Sequence, residues 1–241
     1  MNNRIKITRA AIAAASLLVM GASDVKPGMD PDNPTCPRYP NWSSSAKMEL
    51  TPVDRKGTKI LLAEGAIDVG LPDRLRKVLA ANPDISEIWL RSPGGVARAG
   101  NEAGRVIREA DASIITRIPK GWTCFSACNF VFMGGRARIV EPGAHFMVHM
   151  FTMTGDRNAI NYSIEMGTDS TVGLISEVEQ ESALLATEDN DFLIRMGVSR
   201  KLLSEVMYKT SAVKSGDSDK ATRRCLTEEE ALRYNVANVT G

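Results

Sequence analysis

Histidine is scarce in this chain. Of 241 residues only His145 and His149 carry an imidazole, so any imidazole chemistry falls to one of these two. Excess charge is also missing: 30 Lys and Arg stand against 29 Asp and Glu, a formal net charge of +1. That balance excludes the basic footprint of a nucleic-acid binder and points to no strongly anionic partner. There is no internal repeat. Beyond the N-terminus no apolar run approaches the roughly 20 residues that a membrane-spanning helix needs. Cysteine occurs four times, as Cys36, Cys124, Cys128 and Cys225, and none follows directly on the N-terminal apolar run, which argues against a lipid-anchored N-terminus. What remains, 43% apolar and 24% charged residues, is the composition of an ordinary globular domain, and the length suits one domain with appendages.

Residues 1–23 read as an export signal. Arg4, Lys6 and Arg9 precede a short apolar core from Ala10 to Met20, and Gly21-Ala22-Ser23 offers small residues for cleavage. The expectation is a periplasmic or secreted protein, with an uncleaved N-terminal anchor as the alternative. In an oxidising compartment the four cysteines become disulfide candidates, with three complete connectivities open. Residues 24–57, with Asp30-Pro31-Asp32-Asn33-Pro34 and Ser43-Ser44-Ser45, read as a Pro/Ser-rich arm or linker. Residues 58–241 read as the folded domain.

Within that domain strand and helix patterns alternate. Lys59–Ile67 is a predicted strand. Leu71, Leu75, Val78 and Leu79 recur at helical spacing until Asn82-Pro83 stops them. A strand at 88–90 runs into Ser92-Pro93-Gly94-Gly95, a turn cluster, and a helix follows over 97–110. Strands are expected at 113–118, 137–140 and 145–150, a short apolar helix from Ser126 to Gly134-Gly135, and a long helix over 171–196 closed by Gly197. Alternation of this kind predicts an α/β fold of repeated β-α-β units around a mostly parallel sheet.

In open α/β sheets, sites form at the carboxyl ends of strands. Three features fall there. Gly94-Gly95 lets the backbone approach a ligand and expose its N–H groups. Cys124-Phe125-Ser126-Ala127-Cys128 is a small-residue strand-to-helix turn carrying a hydroxyl. His149 ends an apolar strand, and an imidazole beside a serine is the minimum for an activated hydroxyl. Taken singly, each has a plainer explanation: a turn, a helix N-cap, a core histidine. Their order and spacing favour the functional reading.

Together these segments resemble the Clp protease/crotonase superfamily. Leu90 to Gly100, with Ser92-Pro93-Gly94-Gly95, is similar to the oxyanion-loop segment of the Clp proteolytic subunit. Cys124 to Cys128 lies where that family carries its serine, without the glycine that usually precedes it. Pro142 to Met150 resembles the segment ending in the family's histidine, and Thr227 to Asn238 its C-terminal helix and strand. The resemblance covers about residues 59–239 and is nearest to a periplasmic branch that pairs Cys-x-Ser-Ala-Cys with an export signal. It implies Ser126 as nucleophile, His149 as general base, and the N–H groups of Gly95 and Ala127 as oxyanion hole, with Gly94 in the binding loop. It also implies a peptide or protein substrate, no cofactor, and a homo-oligomer.

The resemblance departs at the third catalytic member. The place of the family's Asp is taken by Arg223, and Asp219 and then Asp217 are the nearest carboxylates upstream. Asp219 is therefore a weak third candidate, and a catalytically weak or inactive scaffold is the alternative function. Lys120 is in sequence range for a Ser-Lys pair. Cys124 and Cys128 are expected to clamp the turn as a disulfide, with Cys36 or Cys225 as other partners. A soft copper set of the same cysteines with a histidine is disfavoured, because the spacing is not a common metal pattern, so no metal is expected. Export argues against the coenzyme A chemistry of the crotonase side.

Overall fold

The computed structural model describes residues 27–31, 33–110, 114–151, 153, 156–209 and 223–241. Residues 1–23, read as an export signal, lie outside the described residues, as do Asp217 and Asp219.

A five-stranded sheet has the order β1-β2-β3-β4-β6. Its strands are β1 (Glu49–Arg55), β2 (Thr58–Glu64), β3 (Ile85–Arg91), β4 (Ile115–Ile118) and β6 (Ala137–Val140). β2, β3, β4 and β6 run parallel, and β1 closes one edge antiparallel. The crossovers are helical. α1 (Leu71–Ala81) buries Leu71, Leu75 and Leu79, one face at four-residue steps, and each such leucine is worth about 2 kcal/mol. It stops where predicted, with the Asn82 side-chain amide donating to the Val78 carbonyl at 2.9 Å. α2 (Ala97–Glu109) leads from β3 to β4.

A smaller sheet holds β5 (Thr123–Phe125), β7 (His145–Val148) and β8 (Arg224–Cys225), in the order β5-β7-β8. β5 is parallel to β7 and joins the large sheet through a bridge between Ser92 and Cys124. α3 (Cys128–Met133), α4 (Arg157–Glu165), α5 (Thr168–Met196) and α6 (Glu228–Arg233) are the other α-helices among the described residues. α5 ends on Gly197 in the left-handed conformation, φ 68°, as expected of that glycine. A π-helical turn, Leu202–Val206, and a 3₁₀ turn, Met207–Lys209, follow it.

The core is continuous from Leu61, Ile88 and Leu90 through Phe130 and Phe132 to Phe192 and Met196. Behind α3, the guanidinium of Arg138 is 1% exposed and donates to the carbonyls of Val236, Gly135, Met196 and Asn235. Burial, with the neighbouring Arg108, pushes its pKa down to about 10. The ends of α3 and α5 and the C-terminal segment are thus tied to one buried cation, which stays charged at neutral pH.

Three elements differ from the sequence expectation. Part of segment 24–57, read as a loose arm, is structured: β1 pairs with β2 over seven residues, joined by Lys56-Gly57, both at positive φ (52° and 82°), the conformation a two-residue hairpin turn requires. Pro52 obscures this strand, yet an edge strand tolerates proline because one of its sides makes no ladder bonds. α4 has no strong apolar face; its start is fixed locally by Asp156, which accepts from the Ala159 N–H at 3.0 Å. The expected final strand is a single bridge between Ile139 and Val239.

Candidate active site

The parallel register of β5 and β7 sets Thr123 beside His145 and Phe125 beside Met147. Both strands therefore end on the same side. One residue past β5 comes Ser126, and one residue past β7 comes His149. The Oγ of Ser126 lies 2.7 Å from Nε2 of His149, with the hydroxyl as donor when that nitrogen carries no proton. His145, at the opposite end of β7, is uninvolved, and burial lowers its pKa.

Ser126 is held in an unusual backbone conformation. Its φ is +57°, a left-handed value that costs a non-glycine residue about 1–3 kcal/mol. Several contacts hold the turn. Cys124 and Cys128 form a disulfide with Cα atoms 5.4 Å apart, bracketing the serine. The Ser126 N–H and the Asn129 side-chain amide both donate to the Met147 carbonyl, at 3.3 and 2.8 Å.

The glycine loop presses against this elbow. Gly94 has φ +88°, and a Cβ there would come within 2.6 Å of both the Phe125 carbonyl oxygen and the Ser126 Cβ. At Gly95, φ +146°, a Cβ would sit 2.2 Å from the Ile67 oxygen. The Gly94 carbonyl accepts from the Ile67 N–H at 2.8 Å. Since the peptide is planar and trans, the N–H of Gly95 points the other way, away from Ile67. The same logic applies to Ala127. The Ser126 carbonyl accepts from the Asn129 N–H at 2.9 Å, so the Ala127 N–H faces outward from the start of α3. Ser92, fully buried, accepts from the Gly94 N–H through its hydroxyl at 3.1 Å and bonds β5 through its own backbone.

Ser126, Ala127, Gly95 and His149 line a cleft of about 310 Å³, together with Asn129, Phe130, Met133, Phe146 and Asp189. Asn129 and Asp189 were not singled out from the sequence. Asp189 had a readable signal: it lies between Leu185 and Leu193 on one stripe of α5, where a carboxylate interrupts an apolar face.

The side of the site where a carboxylate was expected holds a cation. The guanidinium of Arg223 lies 5.1 Å from the Phe125 ring centre and 5.6 Å from that of Trp42. Phe125 in turn contacts the His149 ring, centroids 4.7 Å apart. Asp219 is outside the described residues. Lys120 does not meet Ser126: it is exposed, its backbone N–H donates to Glu141, and its side chain lies over Gly143. Lys120 precedes β5 and Ser126 follows it, so the two residues stand at opposite ends of that strand.

The remaining cysteines are joined as well, Cys36 to Cys225 with Cα atoms 5.0 Å apart. This bridge packs with Phe125, Met147 and Trp42 in a small cluster directly behind the elbow. The arm is held there further by the Thr123 N–H donating to Asn41 and the Cys225 N–H donating to Thr35. Both disulfides use up the sulfurs that a soft metal would need. Among the described residues, no group of three or more His, Cys, Asp or Glu is placed to hold a metal ion, and no helix is long and apolar enough to cross a membrane.

No family model and no curated protein matches the chain. Among solved structures it is similar to a ClpP1 mutant from Listeria monocytogenes, 17% identical over 75% of this chain and 89% of that one, with a TM-score of 0.50. It is also similar to a mutant of a membrane-bound stomatin-specific protease, 17% identical over 73% and 75% of the two chains, with a TM-score of 0.46. The chain has the Clp protease-like fold, an α/β architecture with a mostly parallel sheet.

Proposed function

We propose that this protein is an exported serine hydrolase of the peptidase type. Ser126 is the nucleophile, His149 the general base, and the N–H groups of Gly95 and Ala127 the oxyanion hole. The observation that carries the reading is the 2.7 Å contact between Ser126 Oγ and His149 Nε2, which is within the range that proton transfer requires. Attack by Oγ on an acyl carbon forms the C–O bond while His149 takes the hydroxyl proton. Collapse of the tetrahedral intermediate expels the leaving group, which receives that proton from His149, and water repeats the sequence on the acyl-enzyme. Two N–H donors facing the same cleft are suited to the charge that develops on the carbonyl oxygen, at about 2.7–4 kcal/mol per donor. The two disulfides fit an oxidising compartment, in line with export.

A fluorophosphonate probe tests this. Labelling at Ser126 is expected, absent in Ser126→Ala and lowered by about two to four orders of magnitude in His149→Ala. Wild-type protein that labels no faster than Ser126→Ala would establish the second reading, a scaffold that keeps the fold. Arg223 near Phe125, in place of a carboxylate, is the observation that favours that reading. Self-association is proposed from Tyr162, Ile164 and Met166 of the α4–α5 region, all more than 60% exposed. Light scattering should give a multiple of the monomer mass, and a monomer at micromolar concentration would count against it.

A further inference from the structure

The cleft beside Ser126 is apolar, with one charged residue in its wall. Phe130, Met133, Phe146, Leu193 and Leu203 line it, and among the described lining residues Asp189 is the sole Asp, Glu, Lys or Arg. A carboxyl on the apolar stripe of a helix, half-buried against an apolar wall, is costly unless a cation or donor meets it. Among the described residues none does. On its own helix the neighbour is Glu188, a like charge, which is engaged with Arg98 of α2 at 3.2 Å. Arg98 turns its other nitrogen to Glu181. Across the cleft His149 is bonded to Ser126. From the turn after α5, Glu205 is taken by Tyr234 and Lys201. Burial first, and Glu188 second, push the Asp189 carboxyl up from 3.8 to about 7. The fold therefore keeps an unmatched acid in an apolar cleft a short distance from a serine–histidine pair.

We propose that Asp189 is the specificity-determining residue of this cleft, selecting acyl donors whose side chain beside the bond to be cut is a long alkyl stem ending in a cation, that is, lysine or arginine. The proposal rests on the serine-hydrolase reading of Ser126 and His149. The physical logic is one of matched parts. An alkyl stem covers Phe130, Met133 and Leu193, and the ammonium or guanidinium tip supplies the counter-charge that Asp189 lacks. A neutral side chain of the same length fills the same space and leaves the carboxyl unpaired. Below about pH 7 Asp189 holds a proton, which a cationic side chain must displace. The preference for a cation therefore weakens toward acid.

Two thioesters with one leaving group decide this: N-acetyl-lysine and N-acetyl-norleucine thiobenzyl esters, hydrolysed at pH 8 and pH 6 by the full chain with both disulfides intact. The lysine-to-norleucine ratio of kcat/KM cancels the ionisation of His149, which affects both substrates alike. At pH 8 the ratio should be roughly ten- to thirty-fold, as for a partly buried charge pair, and it should fall toward one at pH 6. Asp189→Asn should bring it near one at both pH values, and Asp189→Glu should restore part of it. A ratio that Asp189→Asn leaves unchanged, or one equal at the two pH values, overturns the proposal. If neither ester is cleaved and Ser126 does not label, the hydrolase reading fails, and the subsite is then judged by binding alone. Calorimetry of n-hexylammonium against n-hexanol on Ser126→Ala protein should favour the ammonium at pH 8, less so at pH 6, and not in Ser126→Ala/Asp189→Asn. Equal binding of the two compounds overturns the subsite.

Discussion

Cys124–Cys128 closes a separation of 4 residues and Cys36–Cys225 one of 189, and the two bridges constrain different things. In the loop-entropy picture the short bridge removes little freedom from the unfolded chain, about 2 kcal/mol, whereas the long one removes about 5 kcal/mol. Geometry gives the reverse order of importance for the site. The short bridge brackets Ser126, whose positive φ must be held against its own strain. The long bridge fastens the arm and β8 behind Phe125 and Met147, one layer further from the hydroxyl. One cross-link serves the stability of the domain and the other the shape of a single turn.

Removing each bridge separately breaks this contrast if it is wrong. The largest effect is expected for Cys36→Ser/Cys225→Ser: a loss of about 5 kcal/mol, a fall in Tm of about 10–20 °C for a domain of this size. Fluorophosphonate labelling well below the new Tm should remain near the wild-type rate. Cys124→Ser/Cys128→Ser should cost only about 2 kcal/mol yet slow labelling by roughly ten-fold or more, because a misplaced nucleophile loses its attack geometry. Thermal melts and labelling rates on the same two variants read both axes. If the short-bridge variant labels at the wild-type rate, the elbow holds its conformation without the disulfide and the contrast collapses.

The same division, long-range against local, decided what the sequence could disclose. α1 and the end of α5 were legible because leucine spacing, Asn82-Pro83 and Gly197 are local signals that the tertiary structure did not override. Ser126, His149 and the glycine loop were legible as a set because each ends a strand, and parallel strands bring such ends to one side. β1 was hidden by Pro52, which only an edge position tolerates. The Cys36–Cys225 pairing was one of three open connectivities, since nothing local links residues 189 apart. The Leu185–Leu193 stripe marks Asp189 locally as a carboxylate on an apolar face, but that it enters the cleft beside Ser126 follows only from the packing of α5 in the fold.

Neither disulfide titrates, so the pH dependence of stability isolates side chains from covalent clamps, and here two aspartates oppose each other. The Arg74 guanidinium bonded to Asp68 holds that carboxyl down at about 2. Its contribution is present above the unfolded value near 3.9 and is lost only as pH falls toward 2, so it is constant from pH 5 to pH 8. Asp189 runs the other way. With its pKa raised from 3.8 to about 7, the folded protein retains a proton that the unfolded chain releases. Stability therefore falls as pH rises through that window, and the full cost is carried above pH 7. Asparagine cannot ionise. Asp189→Asn should melt close to wild type at acid pH and higher than wild type at pH 8. The gain should be on the order of 1–2 kcal/mol after allowing for the open side of the cleft, or a few degrees in Tm. This is the smallest of the expected effects and the most specific, since in wild type and variant alike both bridges and the Asp68–Arg74 pair are unchanged. Melting curves of the two proteins that stay parallel from pH 5 to pH 8 would mean that the Asp189 carboxyl is not desolvated, and the cleft would then have no ionisable wall.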